Sequence, residues 1–324
     1  MKIIVSIFFT FASVLTAFGQ QPQLDTLRAE GYEALYNLDY EGARRRCQKM
    51  VERAPEDPAG AECFAKILWL QQLNESYQLK STLYSGTETT DKTDRPQTDE
   101  FRKWIRQAKT LAEARLKKEP RNVEALYYLG AAEGLEAAYT AQVERKYVAA
   151  LRAGTNAVEH HREVIKLSPE YHDAELTIGL HNYVVGSLSL PLKMIAGTMG
   201  VRGSKKRGLE TLERVTVEGK WARDLARTLL VDIYKREKRY EDAVKMARQL
   251  SEKYPRNYLY KLQMADALTS QIAILRKQKA PFKNEENELQ NIFTDLSRDK
   301  SFDSTTRNLI NQRWTLARQQ LSRD

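Results

Sequence analysis

Four histidines, His160, His161, His172 and His181, fall within one short stretch, with Glu159, Glu163, Asp173 and Glu175 among them. Zinc centres and hydrolytic centres are built from these side chains. Zinc needs three or four converging ligands, and a catalytic helix commonly offers two histidines four residues apart with a glutamate between them. Here His160 and His161 are adjacent, so on a helix they point a quarter turn or more apart, and Pro169 intervenes before His172. The spacing predicts no metal centre and leaves the histidines stacked on neighbouring helices of a polar surface. Nucleophilic chemistry finds no better footing. There is no G-x-S-x-G elbow, and neither cysteine, Cys47 or Cys63, sits beside a base. The glycines of "GTMGVRGSKKRG" match neither phosphate-loop nor dinucleotide spacing. Carboxylate pairs such as "EEN" and "DAE" lie in ordinary polar helical faces. The expectation is a non-catalytic protein that needs no cofactor.

The elements that carry these residues are helical, and their compartment is set by the first residues. "MKIIVSIFFTFASVLTAFGQQPQLD" places one lysine before an apolar run from Ile3 to Phe18, with small residues at Ala17 and Gly19. This is the layout of a signal peptide over residues 1–19, cut before Gln20. The expected mature chain, residues 20–324, is soluble and exported, in a periplasm or outside the cell. In an oxidising compartment the only two cysteines could pair. Both lie eight residues from Pro55, which places them at equal heights on antiparallel neighbours; two buried thiols acting as small apolar residues is the alternative. Net charge is +9, from 52 Lys and Arg against 43 Asp and Glu. Acids are interspersed nearly throughout, so the charges read as solvated helix faces rather than as a nucleic-acid surface. Peripheral association with the cell envelope stays open through the basic clusters "ARRRCQK" and "GSKKRG".

An internal repeat organises the rest. Tyr40, Ala43 and Pro55 recur in spacing as Tyr240, Ala243 and Pro255, with apolar residues at helical intervals between. Ala108 with Pro120, and Ala157 with Pro169, repeat the Ala-to-Pro offset. A small alanine lets two helices approach, an aromatic fills the gap beside it, and proline ends the helix. The intervals between prolines are irregular: about two repeats from Pro55 to Pro120, one repeat and a part to Pro169, two and a part to Pro255. Residues 81–100, polar and Thr-rich, read as a mobile surface insert. Two helices over 285–324 read as a cap, the last placing Ile310, Trp314, Ala317 and Leu321 on one side.

The pattern resembles the tetratricopeptide repeat, a helix-turn-helix unit of ~34 residues. The resemblance implies an all-α, right-handed superhelical array of degenerate repeats in a single domain. It also implies a concave groove lined by first helices, with a protein or peptide as partner. Groove positions of that family correspond to Arg28, Tyr32, Tyr127, Leu176, Tyr183, Asp232 and Lys235; for each singly, packing is an equal reading.

The weakly charged run Gly179 to Gly208 fits the array least well. His181, Asn182, Pro191 and Lys193 interrupt it too often for a membrane span. It is expected to be a buried, glycine-containing hairpin, with Pro191 breaking a helix near Leu190 and Leu192 to Met199 packed into the array. Gly179, Asn182, Ser187 or Ser189, Pro191, Gly197, Gly200, Arg202, Gly208, Leu209 and Leu212 resemble the signature of the tetratricopeptide repeat protein 39 family, which implies the helical fold. The leading expectation is an exported interaction scaffold. The alternative is a small-ligand or nutrient-binding protein with a pocket at residues 179–208. A third reading is an envelope-associated assembly factor held by an uncleaved N-terminus or by the basic face.

Overall fold

The computed structural model describes residues 23–75 and 97–323. The apolar N-terminal run 1–19 and residues 81–96 of the polar insert lie outside the described residues. The described chain forms α1 (residues 23–36), α2 (Tyr40–Arg53), α3 (Pro58–Glu75), α4 (Gln97–Lys118), α5 (Val123–Gln142) and α6 (Tyr147–Leu167). A 3-10 turn, His172–Ala174, leads into α7 (Glu175–Ser187), α8 (Leu190–Thr198) and α9 (Lys205–Glu218). Then follow α10 (Arg223–Arg236), α11 (Tyr240–Lys253), α12 (Tyr258–Lys277), α13 (Lys283–Arg298) and α14 (Ser304–Arg323). No strand forms among the described residues. The helices divide into two compact units, α1 to α9 ending at Trp221, and α10 to α14 beginning at Ala222.

Each of the four prolines of the repeat sits in the same turn. The residue before it closes the preceding helix by donating to the carbonyl four residues back, as in Ala54 to Met50, Glu119 to Arg115, Ser168 to Val164 and Tyr254 to Leu250. The residue two after the proline then donates back to that same closing residue. At three of the four turns this second donor is Asp57, Asn122 or Asn257, whose side chain accepts from Ala59, Ala125 or Leu259 and so caps the next helix. Ala43, Ala108, Ala157 and Ala243, twelve residues upstream, are all without solvent exposure. Within hairpins a second turn recurs. Leu38, Lys238 and Lys279 adopt φ of 64°, 60° and 55°. The residue after each donates to a carbonyl five residues back, a helix-ending geometry usually given to glycine.

In the first unit the hairpins are α1 with α2, α3 with α4, α5 with α6, and α7 with α9; in the second, α10 with α11 and α12 with α13, and α14 packs on α12 and α13. Ile310 and Ala317 of α14 are buried, and the Trp314 ring lies 4.6 Å from that of Phe293.

Several expectations need correction. Among the described residues, the interval from Pro55 to Pro120 holds the long helices α3 and α4, of 18 and 22 residues. Gln97 to Glu100, read as loop, open α4. The helix is interrupted at Leu188 and Ser189, between α7 and α8, and Pro191 lies in the first turn of α8, where its missing N–H costs nothing. Helix α8 does not pack into the array. Only Ala196 of its residues is buried, while Leu190, Leu192, Met194 and Ile195 are exposed. The hairpin partners are instead α7 and α9, with residues 188–204 looped out between them. A Cβ on Gly208 would fall 2.4 Å from the Tyr183 nitrogen, and one on Gly203 would fall 2.6 Å from the Gly186 nitrogen. The glycines of this run therefore bring two helix backbones into contact.

Candidate binding site

Three first helices of the first unit, α1, α3 and α5, bring polar groups and aromatics together. On α3, "AGAECFAKILWLQQL" carries Glu62 and Lys66 one turn apart in an otherwise apolar run, and both are buried. Lys66 Nζ lies 2.9 Å from the Glu62 carboxylate and donates to Tyr32 Oη of α1 at 2.5 Å. Burial works against the Lys66 charge, but Glu62 and Tyr32 outweigh it and hold the ammonium above its ordinary pKa. The Tyr32 hydroxyl donates to Glu62 at 3.4 Å, and burial first, then Glu62, raise its pKa.

Arg28 lies one turn before Tyr32 on α1 and is 4 % exposed. Its guanidinium stands 4.7 Å from the centre of the Trp221 ring and 5.2 Å from that of Tyr128. Trp221 is fixed by its backbone N–H, which donates to the buried Asp173 carboxylate at 2.9 Å. Tyr127 and Tyr171 stand with rings 4.9 Å apart; burial raises both phenols above their usual range. Among the described residues no hydrogen bond or ion pair reaches the Arg28 guanidinium. Burial works against that charge, but Tyr32, Tyr127, Tyr171 and Glu62 outweigh it and raise the Arg28 pKa, and the aromatic faces add to the support.

In the second unit, α10 carries Asp232 and Lys235 three residues apart, with their charged atoms 2.8 Å from each other. Asp266 of α12 lies near them and 3.5 Å from Arg313 of α14. Its carboxyl is pushed up to about 6 by burial; Lys235 lowers it and Asp232 raises it.

Consecutive antiparallel helix pairs whose first helices share a buried side, three of them closed by the same positive-φ turn and four followed by the same proline turn, decide the architecture. Each unit is an array of tetratricopeptide-like helical hairpins. No family model matches the sequence, and no curated protein does. Two solved structures are similar. A thermophilic TPR protein of Thermus thermophilus, TTC0263, shares 15 % identity at a TM-score of 0.41, over 76 % of this chain and 98 % of that one. A tetratricopeptide repeat protein from Parabacteroides merdae shares 11 % at 0.31, over 91 % and 98 %.

Of the residues assigned to the tetratricopeptide-like groove, Arg28, Tyr32 and Tyr127 share the first unit's buried cluster, and Asp232 with Lys235 that of the second. Tyr183 has no solvent exposure and lies at the glycine crossing of α7 and α9, outside both clusters. Leu176 is half-buried and joins neither cluster. Glu62, Lys66, Tyr128, Tyr171 and Trp221 were not singled out from the sequence. The charged pair inside the apolar α3 run was the available signal.

The histidines disperse. His160 bonds Glu133 at 2.8 Å, which raises its pKa. His161 is not on a polar surface: it is buried, donates from Nε2 to the Tyr127 carbonyl at 3.0 Å, and burial pushes it down to about 4. Burial also pushes His181 down to about 4. His172, Glu175 and Glu218 offer ligand atoms within 4.8 Å of one another. Arg214 already supplies that cluster with positive charge, donating twice to Glu175 at 2.8 Å.

The sulfurs of Cys47 and Cys63 stand in bonding contact across the α2–α3 turn, with Cα atoms 5.7 Å apart.

Proposed function

We propose that the chain is an exported, non-catalytic interaction scaffold whose first unit binds a polypeptide partner, with Arg28 as the anchor. The observation that carries this reading is the buried guanidinium with no carboxylate in hydrogen-bond or ion-pair contact, lying against the rings of Tyr128 on α5 and of Trp221 in the turn after α9. Folding has covered this charge without a direct ion pair, while Glu62 and Glu124 act on it at longer range. A partner's carboxylate, from a side chain or a C-terminus, would complete it with charge-assisted hydrogen bonds in a desolvated setting. The surrounding tyrosines supply rigid, amphipathic contact area at small entropic cost.

Export is proposed on the N-terminal run, together with the fact that no helix among the described residues is long and apolar enough to cross a membrane. The α7–α9 crossing, where backbones touch, offers the small-ligand reading no space between those helices.

The test is peptide selection on the immobilised protein from a random library with free C-termini, followed by rebinding to an Arg28→Met variant. Selected peptides should carry a carboxylate at one fixed position and lose at least tenfold in affinity when Arg28 is replaced or that carboxylate is amidated. Equal binding by both proteins would reject the assignment.

A further inference from the structure

The helix α8 is held to its unit by one face only. Ala196 packs with Val185 and Val201, against which Leu151 and Leu188 also lie, and the Val201 N–H folds back to the Ala196 carbonyl at 2.9 Å. The rest of the helix projects. Leu190 is 73 % exposed, Met194 68 %, Ile195 46 % and Leu192 41 %, and Met199 beyond its end adds to the same surface. Leu190, Met194 and Ile195 lie away from Ala196 on the helix, and Leu192 and Met199, one turn before and after it, flank the buried contact.

Charge decides what this surface suits. From Leu176 to Leu209 the sequence has no Asp or Glu, while Lys193, Arg202, Lys205, Lys206 and Arg207 all lie within or just beyond α8, and all five are exposed. Lys193, Arg202 and Arg207 make no ion pair among the described residues. Among the described residues α14 is also free of acids, but α8 is the place where several exposed apolar side chains adjoin cations that make no ion pair. A short helix of leucine and methionine, flanked by cations on long aliphatic stems, matches the boundary between headgroups and acyl chains of an anionic membrane. Flexible apolar side chains enter a fluid layer without needing a shaped pocket.

We propose that α8 is a membrane-surface anchor: Leu190, Leu192, Met194, Ile195 and Met199 enter the outer part of an anionic lipid layer, and the surrounding cations bind its headgroups. The proposal is independent of the Arg28 site, and it would hold the scaffold against a membrane without a spanning segment.

The experiment is flotation of the full chain with phosphatidylglycerol–phosphatidylethanolamine vesicles and with phosphatidylcholine vesicles. Wild type is compared with Met194→Glu/Ile195→Glu and with Lys193→Gln/Arg202→Gln/Arg207→Gln. All three proteins share one N-terminus and all changed residues are exposed, so the differences report α8. Wild type should float with the anionic vesicles, and each variant should lower the bound fraction about tenfold. An environment-sensitive dye on Met194→Cys should shift to the blue only with anionic vesicles. Variants that bind like wild type, or a dye that does not respond, would overturn the proposal. So would a wild-type dimer that the Glu variant dissociates without change in flotation, because the surface would then belong to a second copy.

Discussion

Gly130 of α5 faces the ring of His161 so closely that a Cβ on the glycine would fall 2.4 Å from the His161 Cδ2 atom and 3.1 Å from the Ala157 carbonyl. This crossing joins the small residue of a first helix to the alanine of its second helix, and it buries an imidazole between them.

Substituting that glycine therefore costs stability in spite of alanine's better helix propensity. Gly130→Ala is expected to lose about 1–3 kcal/mol through overpacking. Gly134→Ala, one turn on, meets only Thr177 at an ordinary 3.5 Å and is expected to gain about 0.5–1 kcal/mol. Urea unfolding of the two variants checks the contrast; equal effects would show that the crossing is not tightly packed.

The buried imidazole also fixes the sign of an acid response. His161 and His181 are both lowered to about 4, below the ordinary value of 6.5. The unfolded chain thus binds protons first as pH falls. The stability these residues contribute is intact above pH 6.5 and is lost as pH drops toward 4, by up to about 3 kcal/mol for His161. Unfolding midpoints measured across that window should fall, and His161→Gln should flatten the fall. An unchanged slope in the variant would assign the acid response to other groups.

Glu62 and Lys66 illustrate a buried pair whose members depend on each other. Lys66→Met strands a buried carboxylate and should cost about 3–5 kcal/mol, while adding Glu62→Leu should restore most of that loss. A double-mutant cycle by urea unfolding measures the coupling. Additive losses would mean that the pair is not the stabilising unit.

We propose that Cys47 and Cys63 are bridged in the mature protein. Thiol titration of the denatured, unreduced protein should then find no free thiol. The Cys47→Ser/Cys63→Ser variant should lose about 2–3 kcal/mol, as closing a short loop implies. Two titratable thiols would contradict the bridge.

The sequence was most legible where structure is local. A proline preceded by an alanine at fixed offset, and followed by Asp or Asn two residues on, specifies a turn and a cap within a few residues, so the hairpins at Pro55 and Pro255 could be read directly. What depends on neighbours distant in sequence could not. The apolar residues of α8 read as core because composition does not say whether anything packs against them. The burial of Tyr183 was not legible, because a shift of about one residue on a helix turns a side chain by about 100°. At Arg28 and Tyr32 the register placed both on the inner side of their helix. Their environment, however, depends on Trp221 at the far end of the unit and on Glu62 and Lys66, which only the fold brings near.

The central claim is that Arg28 anchors a partner, and crosslinking in the native envelope fraction tests it most directly, with wild type against Arg28→Met. Methionine keeps the apolar length of Arg28 against Trp221 and Tyr128, and the unfolding midpoints of both proteins are measured beside the crosslinking so that loss of function is read apart from unfolding. The account predicts a protein crosslinked to wild type and absent from the variant while the variant remains folded. The same crosslinked products from both proteins, or a loss of product that accompanies unfolding of the variant, would show that Arg28 serves the fold rather than a partner.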